Sequence, residues 1–388
     1  MKAWQVSAEW KPRESYTPVE REVRDQRAMR GNLIFYNPEL KMVDIPIRDL
    51  KDGEALLKVG ATGVCGSDTL FLGKDEEGYT HYSSHCKFPC VIGHEFSGEI
   101  VAVKNVKKLQ VGDIVTGENM YWCGECDSCR MGMFNQCENL EEIGFSLNGG
   151  FAEYLIVKEK HSYKINDFSK IYQTKEKVFK AGALMEPTSV AYNGLFVRGG
   201  GFMPGGNVAV FGCGPVGLAS AALLRAAGAA KVFAFDLSPG RLELAKSLGV
   251  DHTFNPVELV KQGSSPSQAI LELTGGIGAA LIAEATEKHN ATIPEAEKAL
   301  AIGGKIVQIG ISTEKTAVSS SAFQKKGASY YGTNGNAGHG IFSSVIRLVS
   351  SGRIDLSKII TNTYSLDNTL EAIQAAKNAM SGKVMVVL

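Results

Sequence analysis

The chain of 388 residues reads as an α/β protein in which a β-rich domain precedes a doubly wound parallel sheet. Three features predict it. Short apolar runs at 207–211, 231–235, 281–285, 305–309 and 329–332 alternate with helix-forming stretches, as in a parallel sheet covered on both faces. A glycine-rich turn at 212–217 joins the first run to the first of those helices. Before about residue 206 this alternation is missing, and short strand-like runs broken by Gly and Asp take its place.

Taken in order, residues 1–50 mix charges with no clear core pattern, and 11–30 reads as a solvated excursion. Residues 54–64 and 97–116 read as short β segments, with a turn at Val111-Gly112-Asp113. Helix propensity is strong over 218–229. A second helix over 241–248 ends at Gly249, a C-cap position. The tail predicts a helix over 366–379 and a strand over 383–388.

Composition narrows the function. Hydrophobic residues make up 44% and charged residues 21%, which suits two globular domains. Forty-one basic residues balance 41 acidic ones, so no net positive field draws in nucleic acid or an acidic membrane. The best apolar run, 217–230, carries Arg225 and falls short of the roughly 20 residues a membrane span needs. The N-terminal stretch has no apolar signal-peptide core, so a cytoplasmic location is expected.

Four of the eight cysteines crowd into Cys123-x2-Cys126-x2-Cys129-x7-Cys137. Without a secretion signal, that points to metal rather than disulfides. Four thiolates suit tetrahedral Zn²⁺ in a closed, structural site. A [4Fe–4S] cluster would use the same ligands. A nucleic-acid-binding zinc module is disfavoured by Glu125, Asp127, Glu138, Glu141 and Glu142, which would repel phosphate.

A second constellation comprises Cys65-Gly66-Ser67-Asp68, Gly93-His94-Glu95, and Glu186 in Leu184-Met185-Glu186-Pro187-Thr188. Thiolate, imidazole and carboxylate are the donors of a zinc site that keeps one position open. The turn Gly212-x-Gly214-x-x-Gly217, with Pro215 and Val216 inside it, follows a strand and opens a helix, as a dinucleotide turn must. Gly212 permits the tight turn, Gly214 the approach of pyrophosphate, and Gly217 close packing. The helix N-terminus favours the negative charge. Asp236, 19 residues after Gly217, suits the ribose hydroxyls and would repel a 2′-phosphate, so NAD is favoured over NADP. Arg241 nearby leaves some NADP use open.

Together these segments, with Gly150-Phe151-Ala152-Glu153-Tyr154 and Glu186-Pro187, make the chain resemble the zinc-dependent medium-chain dehydrogenase family over nearly its whole length. The resemblance implies a GroES-like catalytic domain with the zinc lobe over 1–194. A Rossmann NAD-binding domain would span 195–340, and a segment over 341–388 would return to the catalytic domain. It implies one catalytic and one structural Zn²⁺, NAD, and a small alcohol or ketone substrate. A homodimer or homotetramer follows, with no nucleic-acid or membrane partner. Cys65, His94 and Glu186 would hold the catalytic zinc, Glu95 would ligate directly or exchange with water or substrate, and Ser67 would accept the hydroxyl proton. Glu153 would orient ligands or serve only the fold.

Glu186 in place of Cys looks like the polyol and secondary-alcohol branch. Residues 75–79, 122–124, 137–140, 186–193, 197–201 and 338–340 resemble the inosose dehydrogenases of bacterial inositol catabolism. A smaller secondary alcohol, vicinal diol or amino alcohol is the competing substrate class. His94 follows Cys65 by 29 positions, a long gap for the family, so the extra segment 72–90 is expected near the site mouth, where it would read a polyhydroxylated ring. The family's relay histidine, five residues past the ligand Cys, is Leu70 here. The relay must then end at Ser67 and the ribose, run through water, or use another group such as His81, His85 or His339.

Overall fold

The computed structural model describes residues 1–312, 315–377 and 382–388. They divide into two compact units: Met1–Glu186 with 362–377 and 383–388, and Pro187–Thr361 with Gly382.

The first unit is built on the strand Glu54–Gly63. It pairs antiparallel with Glu95–Lys104 along its length, from Glu54 opposite Lys104 to Gly63 opposite Glu95. Its other side takes Tyr154–Lys158 at one end and the tail strand Lys383–Val387 at the other. Ala55, Leu57 and Val59 alternate inward and meet Phe96, Ile100, Val115 and Val157 in one core. The register brings Cys65, just past the end of the central strand, to the same end of the sheet as Glu95.

Residues 1–50 depart from the reading of an unpatterned stretch. Lys2–Trp10 and Phe35–Asp44 form an antiparallel pair, with a register irregularity between Ser7 and Glu9. Only Ala3 and Val6 are buried in the first of these strands, so the period-two signal was too faint to read. The excursion 11–30 is largely exposed, as expected, but it is pinned at a few buried groups. Buried Glu22 accepts from Tyr16 Oη at 2.8 Å and from the Met29 N–H at 2.7 Å, and buried Arg27 donates to the Leu140 carbonyl at 2.8 Å.

The second unit holds six strands in the order His252–Phe254, Lys231–Phe235, Asn207–Phe211, Ala279–Glu284, Leu300–Gln308 and Ser329–Gly332. All five neighbouring pairs are parallel. This is the doubly wound order, in which ligands bind beyond the carboxyl ends of the strands where the winding reverses, here between Asn207–Phe211 and Ala279–Glu284. The five expected strands are all present. His252–Phe254 escaped notice because it has only three residues, none fully buried.

The tail returns to the first unit at 362, later than the expected 341. Ile341–Ser350 buries Ile341, Phe342, Val345 and Val349. The turn Leu356–Ile359 packs on the helices Pro215–Ala226 and Pro239–Ser247, so this stretch stays with the parallel sheet. The forward boundary lies at 186/187 rather than 194/195. Of the helix expected over 366–379, the structure has a 3₁₀ turn Leu366–Asn368 and the helix Thr369–Ala376; residues 378 and 379 lie outside the described residues. Among the described residues no helix is long and apolar enough to cross a membrane.

Candidate active site

Cys65 caps the helix Gly66–Leu72, and Asp68 fixes that cap by accepting the Cys65 N–H at 2.9 Å. One ligand atom each from Cys65, His94 and Glu95 lie within 4.8 Å of one another. His94 is hydrogen-bonded to Cys65 and stacks on Phe145 with ring centroids 4.6 Å apart. Its Nδ1 has no hydrogen-bond partner and lies 3.8 Å from Asp68 Oδ1, which also has none. Burial pushes the Asp68 carboxyl above its ordinary range. Burial alone would lower His94, but Cys65, Asp68 and Glu186 raise it to about 10. A buried imidazole ringed by anions, with orphaned donor atoms, is a site short of positive charge. Soft thiolate with imidazole and carboxylate is zinc's donor set, so these residues fit the metal.

Glu186 is buried on the helix Met185–Tyr192 and its charge reaches His94 and Lys383, yet it falls outside the tight trio. Ser67 Oγ is buried without a hydrogen-bond partner. Leu70 is 40% exposed and offers no proton acceptor. Glu153 accepts the Lys2 N–H at 2.8 Å, a link between strands.

The segment 72–90 reaches this site through an aromatic wall. Tyr82 packs on Phe71 at 4.4 Å and on Phe145 at 5.5 Å, and Phe145 covers His94. Arg13 holds the segment's tip, stacked 4.0 Å over Tyr79 and paired with Asp75 and Glu77. Of the relay histidines, His81 is exposed. His85 Nδ1 meets Glu142 at 3.2 Å, while its Nε2 is buried without a partner. His339 belongs to the other unit.

The four lobe cysteines place their sulfurs within 4.8 Å of one another. Cys123 and Cys137 lie 3.5 Å apart, and Cys126 and Cys137 3.9 Å. Four Zn–S bonds of about 2.3 Å in a tetrahedron put sulfurs about 3.8 Å apart, so the lobe matches one ion. A four-iron cluster, with one sulfur on each iron, needs a wider cage. Backbone N–H groups of Glu125 and Cys126 donate to Cys123 Sγ and lower its thiol to about 6.

In the second unit, Gly212 has φ +89° and makes the turn expected of it. Gly214 caps the helix Pro215–Ala226 with Pro215 at its first position, and space above its Cα is open to a ligand. At Gly217 a Cβ would strike the Gly212 carbonyl oxygen. Neither atom can yield without opening the turn, so Gly217→Ala is expected to weaken dinucleotide binding by about 10–100-fold in a fluorescence titration. Asp236 does more than its position suggested. It accepts the Cys213 N–H at 2.7 Å and the Ser238 N–H at 2.8 Å, tying the glycine turn to the next strand. A carboxylate has room for about two further hydrogen bonds, so ribose hydroxyls remain within its capacity. Arg241 sits in the first turn of Pro239–Ser247, whose N-cap is Ser238.

Residues 51–167 match the alcohol dehydrogenase GroES-like domain, and residues 215–351 match the zinc-binding dehydrogenase domain. The chain belongs to the zinc-binding alcohol dehydrogenases. It is an oxidoreductase that takes zinc and a nicotinamide dinucleotide. The dehydrogenase is 37% identical to the scyllo-inosose 3-dehydrogenase of Thermotoga maritima, over 96% of each chain. It is 32% identical to the L-threonine 3-dehydrogenase of Saccharopolyspora erythraea, over 90% of this chain and 96% of that one. A Thermotoga maritima structure provisionally assigned as an alcohol dehydrogenase superposes with a TM-score of 0.94 at 36% identity, covering 100% of both chains.

One residue of this dehydrogenase's site escaped the sequence reading. Lys383, 1% exposed, forms an ion pair with Glu95. The available signal was a single charge opening the otherwise apolar run Lys383-Val384-Met385-Val386-Val387.

Proposed function

We propose that this dehydrogenase interconverts a secondary alcohol of a cyclitol or polyol, of the inosose or inositol type, and its ketone, with NAD as hydride carrier. The observation that carries the substrate class is the likeness to the scyllo-inosose enzyme over 96% of both chains. The wall built by Phe71, Tyr82 and Phe145, with 72–90 pinned by Arg13, gives the chain means to shape a ring-sized substrate site. The competing class is a small secondary alcohol, vicinal diol or amino alcohol, which the 32% identity to the threonine enzyme favours.

Cys65, His94 and Glu95, whose ligand atoms lie within 4.8 Å of one another, would hold the catalytic zinc with Glu186 beside them as a further ligand, and the four lobe cysteines the structural one. Bound there, zinc supplies Lewis acidity toward the substrate hydroxyl, and NAD accepts the hydride. Ser67 Oγ, buried with no competing partner, accepts the hydroxyl proton as it passes its own on through water to solvent. Asp68 holds the Cys65 turn and faces the His94 Nδ1 side, the outer support a ligating imidazole needs. Gly212, Gly214, Pro215, Val216 and Gly217 cradle the pyrophosphate, and Asp236 binds the ribose. A homodimer or homotetramer is the assembly expected in light scattering.

The test is NADH formation across inositols, inososes, sugar alcohols and small diols, with NADPH followed in parallel. A signal confined to cyclitols or their ketones supports the reading; one confined to small diols or threonine replaces it. Cofactor choice has its own test. Asp236→Asn keeps size and one acceptor but removes the charge that repels a 2′-phosphate. The ratio of kcat/KM for NADP over NAD is expected to rise about a hundredfold, since like-charge juxtaposition costs several kcal/mol.

A further inference from the structure

The strand Ala279–Glu284 ends on a fully buried carboxylate, at the carboxyl edge of the parallel sheet where the winding reverses. Glu284 lies opposite Phe211, one residue before the glycine turn, and on its other side opposite Gln308. A charge at that depth is costly unless it is hydrogen-bonded and paired. Its Oε1 accepts from the Thr286 N–H at 3.1 Å, from the Thr286 hydroxyl, and from Thr292 Oγ1 at 2.9 Å. Thr286 Oγ1 in turn accepts the Lys288 N–H at 3.1 Å. Buried His289 sets its Nε2 3.1 Å from the Thr286 carbonyl oxygen and 2.8 Å from Glu284 Oε2, the latter off the line of a good hydrogen bond. Carbonyl and carboxylate oxygens only accept, so Nε2 carries the proton. The loop 285–288 is thus tied at both the N–H and the carbonyl of Thr286 to groups behind it.

The front of that loop faces the glycine turn. Ala285 and Thr286 are half-buried, while Glu284 and His289 behind them are buried. A Cβ on Gly212 would stand 2.8 Å from both the Ala285 carbonyl oxygen and Thr286 Cγ2, and one on Gly310 would strike the Thr286 carbonyl oxygen. The loop therefore passes between two positions that have room only for glycine. A dinucleotide lies across the two halves of such a sheet. Asp236, just past Lys231–Phe235, belongs to the half that takes the adenosine ribose, and Ala279–Glu284 opens the other half, which takes the nicotinamide nucleotide. We propose that Glu284 and His289 are positioning residues for the nicotinamide half of the cofactor: they fix the loop 285–288 in the shape that this half binds. The inference rests on the glycine turn as the cofactor site. A wall ordered before binding spares the cofactor the cost of ordering it. Without the His289 N–H the Thr286 carbonyl is free to turn, and the cofactor must then order the loop itself.

The experiment titrates the zinc-loaded full chain with NADH and, separately, with AMP, by calorimetry. AMP reports the adenosine half alone. His289→Leu removes the N–H that holds the Thr286 carbonyl. It should weaken NADH binding about 10-fold, the scale of one hydrogen bond in a charged network, while AMP binds as it does to the parent. His289→Gln, whose amide reaches about as far and also donates, should recover most of the NADH affinity. Thr292→Val removes one donor to Glu284 from further along the helix His289–Ala299. It serves where His289→Leu disrupts folding, with a smaller loss in the same direction expected. Unchanged NADH affinity in whichever of these variants folds overturns the proposal, even if the melting temperature falls, because a merely structural loop changes stability alone. Equal loss of NADH and AMP binding overturns it too, since the effect would then not belong to one half of the cofactor. A parent that binds NADPH and not NADH overturns instead the NAD reading, and the same comparison is then made with NADPH.

Discussion

Cys65→Ser is expected to abolish turnover while dinucleotide binding stays close to that of the parent. Serine's hydroxyl does not ionise as a thiol does, so the trio of Cys65, His94 and Glu95 loses the thiolate beside the imidazole. The Lewis acidity lost with the metal is worth several kcal/mol of transition-state stabilisation. At 1.36 kcal/mol per decade, kcat should fall by at least about 10³-fold. The glycine turn and Asp236 belong to the other compact unit and make their own hydrogen bonds, so they have no reason to move. NADH formation, metal analysis and a cofactor-fluorescence titration on one sample separate these effects. Turnover at the parent rate with one metal ion fewer per chain would sink the zinc mechanism. A parallel loss of cofactor binding would mean that the variant damages more than the metal site.

Much of the parallel-sheet unit was legible because its central strands, Asn207–Phe211, Lys231–Phe235 and Ala279–Glu284, are apolar runs buried on both faces. Ser329–Gly332 was located to the residue, and 207–211 and 231–235 likewise. The antiparallel unit was harder, because a strand with one buried face shows only half a pattern. In Lys2–Trp10 two fully buried residues among nine cannot declare a period. Glu22 and Arg27 misled for another reason. Charge in sequence reads as solvent, and only the fold shows the Tyr16, Met29 and Leu140 groups that satisfy them.

The site divides the same way. Cys65, His94, Glu95 and the lobe cysteines announce themselves by donor chemistry and spacing, and the fold brings them within one ion's reach. Pairings that cross the chain leave no such trace. Nothing near Glu95 foretells that residue 383 will neutralise it, and nothing near Asp236 foretells that the Cys213 amide will occupy one of its oxygens. Glu186 marks the remaining gap between the two kinds of information. Motif placed it among the ligands, while its carboxylate stands outside the trio and touches the site through its charge.

Cys129→Ser in the four-cysteine lobe should separate stability from chemistry. Cys129 is buried, and burial pushes its thiol up to about 12, so only a bound cation makes its thiolate favourable there. Serine removes one of four ligands, and the metal count per chain should fall from two to one. Structural zinc sites hold about 10–16 kcal/mol of apparent binding energy in isolated peptides. Here much of the lobe is fastened by other means. Glu118 accepts from Trp122 Nε1 at 3.2 Å and Tyr163 Oη at 2.8 Å, and pairs with His161 Nδ1 at 3.0 Å. Arg27 holds Leu140 and Glu141 on the lobe's far side. The loss should therefore be local and partial, several kcal/mol, and appear as a fall of roughly 10 °C in Tm. Turnover measured well below the new Tm should stay within the same order of magnitude, since Cys65, His94 and Ser67 lie outside the lobe. Equal loss of activity at every temperature would mean that the lobe shapes the active site directly. Several irons per chain together with inorganic sulfide in the parent's analysis would overturn the single-ion assignment drawn from the 3.5 and 3.9 Å sulfur separations.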